Sequence, residues 1–205
     1  MNEENNWDSV AEFWQEYRQG CLKVVERFLE DKEGRVLDLG CGSGRNFVKN
    51  KGVVYGVDFS QNMLDYARLK AEKEKIEVKL FKEEAEKLPF PNNFFDSCIF
   101  ISVLHGIESE VKRKKSLLEL YRVLKPGSEC LLSVWRESKK LNGKEGYIPW
   151  KSNNKVFKRY VYFFDEKELK NLLEKLGFEI VDIDNRSKFS KKNIIIKIKK
   201  PGEGK

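Results

Sequence analysis

Along this chain, short apolar runs of strand length alternate with longer stretches whose apolar residues recur every three or four positions. Arg35–Leu39, Val53–Asp58, Ile76–Phe81, Phe95–Ser102 and Glu129–Trp135 read as strands. The fourth is almost continuously apolar, as expected of a central parallel strand covered on both faces. Between them the pattern predicts a short helix after the glycine-rich turn at 40–44. A second helix is expected from an N-cap at Ser60 to about Glu74, and a third over Val111–Leu124, stopped by Pro126-Gly127. Asp165 caps a further helix that ends at Gly177, followed by strands Phe178–Ile183 and Asn193–Lys199. Ahead of all this, Trp7–Glu30 reads as one or two amphipathic helices, with Val10, Phe13, Trp14 and Tyr17 at helical spacing and Gly20 as the division if there are two. Such alternation predicts a doubly wound α/β sheet. Arg136–Tyr160 stands out as one long irregular piece, and loops of that length are usually functional or disordered.

Composition narrows the class. The 205 residues fit one domain with a sizeable core. No apolar run approaches the ~20 residues that span a bilayer, and Met1-Asn2-Glu3-Glu4-Asn5 does not read as a signal peptide. No membrane role is therefore expected. Cys21, Cys41, Cys98 and Cys130 are far apart and form no paired motif, so neither a zinc site nor a disulfide framework is expected, and a reducing cytoplasm suits the chain. The net charge of +7 is uneven: residues 136–205 carry 19 Lys/Arg against 10 Asp/Glu, leaving −2 for the first 135. A basic C-terminal third suits a polyanionic partner, although solvated lysine alone would give the same balance.

The chemistry begins at Asp38-Leu39-Gly40-Cys41-Gly42-Ser43-Gly44. A glycine-rich turn after a parallel strand lets a ligand approach backbone where a Cβ would collide with it. Asp58, closing the next strand, is placed to accept hydrogen bonds from ribose hydroxyls. Together they predict a nucleoside-bearing cofactor across the first two strands. In a dinucleotide fingerprint the third glycine comes one residue later, where this chain has Arg45.

This D-x-G-x-G-x-G form resembles motif I of the class I S-adenosylmethionine-dependent methyltransferases. Glu84-Ala85-Glu86-Lys87-Leu88-Pro89-Phe90 resembles their D-A-x-x-L-P-F segment, with Glu in place of the Asp that faces the adenine. Asn93-Phe94-Phe95-Asp96 and Arg122-Val123-Leu124-Lys125-Pro126-Gly127 match two further motifs. The resemblance covers about residues 30–135. It implies a Rossmann-like, seven-stranded, mostly parallel sheet with helices on both faces and an N-terminal helical extension. It also implies S-adenosylmethionine as cofactor, held by Asp38, Gly40, Cys41, Gly42, Gly44, Asp58, Phe59, Glu84, Ala85 and Ser102. On this reading residues 1–33 are N-terminal helices, 34–135 the cofactor core, 136–164 a substrate insertion and 165–200 a closing helix and strands.

A finer resemblance is carried by Val103-Leu104-His105, Ser133-Val134-Trp135, Ile148-Pro149-Trp150, Arg159-Tyr160-Val161-Tyr162-Phe163-Phe164 and Ala11–Arg18. It is to the enzymes that esterify 5-carboxymethyluridine at the tRNA wobble position. Gly106 departs from that family's frequent histidine pair, and Val161-Tyr162 from its Y-Y-H, which fits a relative acting on another modified uridine. The resemblance implies tRNA, through its anticodon arm, as partner, and a small zinc-binding activator supplied in trans.

Methyl transfer onto a carboxylate needs no general base, because a carboxyl of pKa ~4 is already ionised at neutral pH. Alignment does most of the work. Arg18, His105 and Arg159 are the candidates to orient the acceptor, with Trp135, Trp150 and Tyr160 as surfaces for the base. Each has a plainer reading: a surface arginine, a satisfied core histidine, aromatic rings covering core. Two other functions fit parts of the pattern, a small-molecule methyltransferase of the quinone type and a scaffold that keeps the cofactor fold without catalysis.

Overall fold

A computed structural model describes residues 3–17, 20–49, 51–136, 144–152, 155–185, 189 and 191–202. The side chains of residues 3–6, 17, 150–152 and 155 are outside that description. Two helices, α1 (Glu3–Tyr17) and α2 (Lys23–Leu29), precede β1 (Glu33–Leu39). Then come β2 (Lys51–Asp58), α3 (Gln61–Glu74), β3 (Val78–Lys82), β4 (Phe95–Ile101), α4 (Glu110–Val123) and β5 (Leu124–Trp135). β6 (Glu145–Ser152), β7 (Lys155–Tyr162), α5 (Glu166–Lys175), β8 (Glu179–Ile183) and β9 (Asn193–Lys199) complete the described elements.

Seven strands form one sheet in the order β3-β2-β1-β4-β5-β9-β8. Its first five strands are parallel, and β9 runs antiparallel between β5 and β8. Period-two alternation sorts the core. Leu37, Cys98, Phe100, Ile194, Ile196 and Ile198 face α4 and α5 through Leu117, Leu120, Leu169 and Leu173. Their neighbours Val36, Ile99, Ile101 and Ile195 face α2 through Val25 and Leu29. Leu64, Ala67 and Ala71 of α3 cover Val54, Cys41 and Phe47. Both faces are therefore buried, which is why the central strands read as nearly continuous apolar runs.

Local chemistry sets several boundaries. Ser60 caps α3 by accepting the Met63 amide at 3.2 Å, and Asp165 caps α5 by accepting the amides of Lys167 and Glu168.

Three expectations are corrected. The segment after the glycine loop forms turns over residues 42–46 rather than a short helix. α4 ends at Val123, with Leu124 already extended, because Lys125 precedes Pro126 and is pushed out of helical geometry. Strand β5 accordingly begins at Leu124. The segment 136–160 is not irregular throughout, since β6 and β7 pair antiparallel from Glu145↔Tyr162 to Ser152↔Lys155.

This hairpin is separate from the main sheet. It is tied to the carboxyl end of β5 by backbone at Phe164, whose amide donates to Trp135 O at 3.0 Å.

Candidate active site

The order of the strands reverses at β1, between β2 and β4, and ligands of open α/β sheets bind outside the carboxyl ends of strands at such a switch. The predicted residues gather at that end. Gly40 has φ +71°, and a Cβ there would lie 2.3 Å from Val103 Cγ2, so only glycine fits. Gly42 differs. Its φ is +52°, yet an added Cβ would meet nothing nearer than 3.9 Å, where Met63 Sδ and the Trp14 indole nitrogen stand. A Cβ on Gly42 would thus make only ordinary contacts, and α1 lies over that face through Trp14.

Asp58 reaches back to this loop. Its carboxylate accepts the Gly42 amide at 2.9 Å and the Ser60 amide at 3.0 Å. Burial pushes its pKa up to about 6 against the opposing pull of those two amides. Asp38 is more deeply buried, and its Oδ2 has no hydrogen-bond partner among the described residues. Burial first, then the neighbouring Asp58, pushes it up to about 8. A buried oxygen without a donor asks for one. S-adenosylmethionine fits this cradle: its ammonium supplies a donor for Asp38, and its ribose hydroxyls suit Asp58.

Other cofactor candidates sit less centrally. Cys41 turns its side chain into the core beside Phe47, and Gly44 packs against the same ring. Phe59 is half-buried directly after Asp58, and Ala85 packs against the main core. Glu84 is exposed, with Lys112 Nζ at 4.0 Å. Ser102 is exposed at the end of β4 with φ +59°, a left-handed geometry that costs a non-glycine residue about 1 kcal/mol. Its amide donates to both the carbonyl and the hydroxyl oxygen of Ser133, each at 3.0 Å, which holds the turn.

Beside the cradle stands an aromatic and cationic column. His105, in a short 3-10 turn (Leu104–Gly106), stacks on Trp135 with ring centroids 4.7 Å apart. The Arg159 guanidinium lies over the Trp135 ring, 4.5 Å from its centroid. Three candidates from different parts of the sequence therefore meet. Burial, helped by Arg159, lowers the His105 pKa to about 3, so the imidazole is neutral. Its Nδ1 is buried with no hydrogen-bond partner among the described residues.

Tyr160, expected to meet substrate, is buried instead. Its hydroxyl donates to Glu145 and accepts from Arg113 Nη1 at 3.1 Å, so it is already engaged. Arg18 lies outside the described residues, as does the side chain of Trp150, whose backbone pairs with Phe157 in the hairpin.

Arg113 was not among the candidates, and it is buried. The signal was available: a cation in the first turn of a helix opposes the helix dipole and needs another reason to be there. Sequence reasoning also missed Asp8, which accepts from the Ser60 hydroxyl and, at 3.2 Å, from the Asn62 amide, fastening α1 to α3 beside the loop. No group of His, Cys, Asp or Glu among the described residues could hold a metal ion, and no described helix is long and apolar enough to cross a membrane.

Residues 37–132 match the methyltransferase domain family. The tRNA (carboxymethyluridine(34)-5-O)-methyltransferase of Arabidopsis thaliana is 32% identical over 132 residues, which are 63% of this chain and 31% of that protein. The chain thus spans under a third of that relative. Demethylmenaquinone methyltransferase of Bacillus cereus is 29% identical over 185 residues, covering 78% of this chain and 77% of that protein. Among solved structures, the complex between the Haloferax volcanii Trm112 methyltransferase activator and a methyltransferase contains a chain of the same fold. It superposes with a TM-score of 0.72 at 16% identity, covering 99% of this chain and 98% of that one.

Proposed function

We propose, from the match of residues 37–132 to the methyltransferase domain family and the fit of the cradle to S-adenosylmethionine, that the chain transfers the cofactor's methyl group to a modified wobble uridine of tRNA. The acceptor on this reading is a 5-carboxymethyl group or a close relative of it, and the product its methyl ester. The observation that carries the proposal is the column of His105, Trp135 and Arg159 at the carboxyl ends of β4 and β5, beside the cofactor cradle. The Arabidopsis relative and the basic balance of residues 136–205 support it.

When bound, S-adenosylmethionine supplies an electrophilic methyl on a sulfonium. The chain's own residues have then to hold and aim a carboxylate. Arg159 offers the charge, and its stacking on Trp135 limits how freely it swings. The neutral imidazole of His105 offers hydrogen bonds without adding a second cation. That restraint matters, because the carboxylate loses its charge as the ester forms, and binding the charge too tightly would raise the barrier. Arg18 and Trp150 complete the proposed acceptor side, and Ser102 the rim toward the cofactor. The Haloferax complex supports a small activator as partner in trans.

Charge reversal to Glu at Lys155, Lys158 and Arg159 tests the acceptor. Affinity for tRNA should fall at least about tenfold, with a shallower dependence on salt, because each lost phosphate contact removes about one unit of slope. Cofactor affinity, measured by calorimetry on the same protein, should not change. Unchanged tRNA binding would overturn the proposal and favour a small acceptor of the quinone type.

A further inference from the structure

We infer that Arg113 is a positioning residue, which locks the β6–β7 hairpin onto the turn that carries His105 and thereby sets Arg159 over Trp135. The inference rests on the proposed function for its acceptor readout, but not for its structural one.

Hairpins of two strands are marginally stable alone, and this one shares no sheet with the core. Beyond the backbone bond from Phe164 to Trp135, its placement depends on side chains. Arg113 is only 5% exposed and reaches from the first turn of α4 into the gap between the two parts. Its Nη1 donates to Ile107 O at 2.9 Å, immediately after the turn holding His105. The same nitrogen donates to Tyr160 Oη at 3.1 Å on β7. Its Nη2 lies 3.9 Å from the Glu145 carboxylate on β6, and its guanidinium sits 4.1 Å from the Tyr162 ring centroid. One side chain therefore touches the His105 turn and both hairpin strands.

Alternation along β7 does the rest. Tyr160 and Tyr162 face Arg113, which leaves Arg159 on the opposite side of the strand, over Trp135. Lysine cannot replace this arrangement, because a single ammonium has neither the planar fork nor the flat face that stacks on Tyr162. A buried arginine in this position would otherwise be an expensive way to fill space.

The chain's single histidine makes the test direct. In the folded protein the His105 ring protons carry a ring-current shift from Trp135, and NMR reads it without knowing the acceptor. Arg113→Lys and Tyr160→Phe are compared with the unaltered chain; the second keeps the buried ring and removes only the hydroxyl. Both variants should move the His105 resonances toward unstacked values. Cofactor affinity should stay within about twofold. Their kcat/KM toward tRNA should fall about tenfold. Unmoved His105 resonances in folded variants would overturn the inference, as would an equal loss of cofactor affinity. Should the unaltered chain methylate no tRNA, the proposed acceptor falls, and the imidazole spectra still decide the role of Arg113.

Discussion

Asp38 and Asp58 lie at the ends of neighbouring strands but answer to different surroundings. Two backbone amides compensate Asp58, whereas the described residues offer Asp38 Oδ2 no donor at all. Asp38 therefore stays protonated in the folded chain up to about pH 8, while in the unfolded chain it ionises above about pH 4. Between those values the folded state holds the extra proton, so this residue's contribution to stability is lost as pH rises across that window. Asp38→Asn should remove the slope. The melting temperature of the variant relative to the unaltered chain should increase from pH 5 to pH 8, and a constant difference would contradict the assignment. The glycines give a second contrast. Gly40→Ala should prevent the loop from forming, because Val103 occupies the space. Gly42→Ala should lower stability by only about 1 kcal/mol, the cost of a left-handed residue. A thermal melt close to the unaltered one, with cofactor affinity reduced at least about tenfold, is expected for Gly42→Ala. Undiminished affinity would mean that the cofactor does not lie against Gly42.

Helix α1 owes its place to contacts rather than to its own sequence, and Asp8 is the fastening point on α3. Each hydrogen bond lost there is worth about 1 kcal/mol. Asp8→Ala should therefore weaken cofactor binding by up to about tenfold, and hydrogen exchange should show α1 opening more readily than the sheet. Equal protection of α1 in both proteins would contradict this role. What the sequence made legible follows from where each signal was stored. The strands around the cradle, the Ser60 and Asp165 caps and the glycine loop are written in contiguous residues, and period and capping chemistry expose them directly. The hairpin was hidden because Lys151, Lys155, Lys158 and Arg159 interrupt its apolar residues in a segment that also reads as a basic loop. The Arg113 network was hidden for a different reason: Ile107, Glu145, Tyr160 and Tyr162 meet only once the hairpin has docked. His105, Trp135 and Arg159 were each visible as candidates, but their stacking, and the burial that keeps the imidazole neutral, arise only from the fold.

At the level of the complete chain, the cofactor cradle and the basic segment divide the labour. The first 135 residues are nearly neutral and build the sheet that positions the methyl donor, while residues 136–205 carry the excess positive charge. The hairpin joins the two, bringing Arg159 from the basic segment to Trp135 at the end of β5. On the proposed function, a carboxylate on a polyanionic acceptor would use both halves at once. Mass spectrometry of the nucleosides of tRNA incubated with the protein and trideuterated S-adenosylmethionine tests this most directly, with and without an activator subunit. The account predicts a wobble uridine derivative bearing one deuterated methyl, released by mild alkali as expected of an ester. A full complement of unlabelled nucleosides, from protein shown by calorimetry to bind the cofactor, would contradict it.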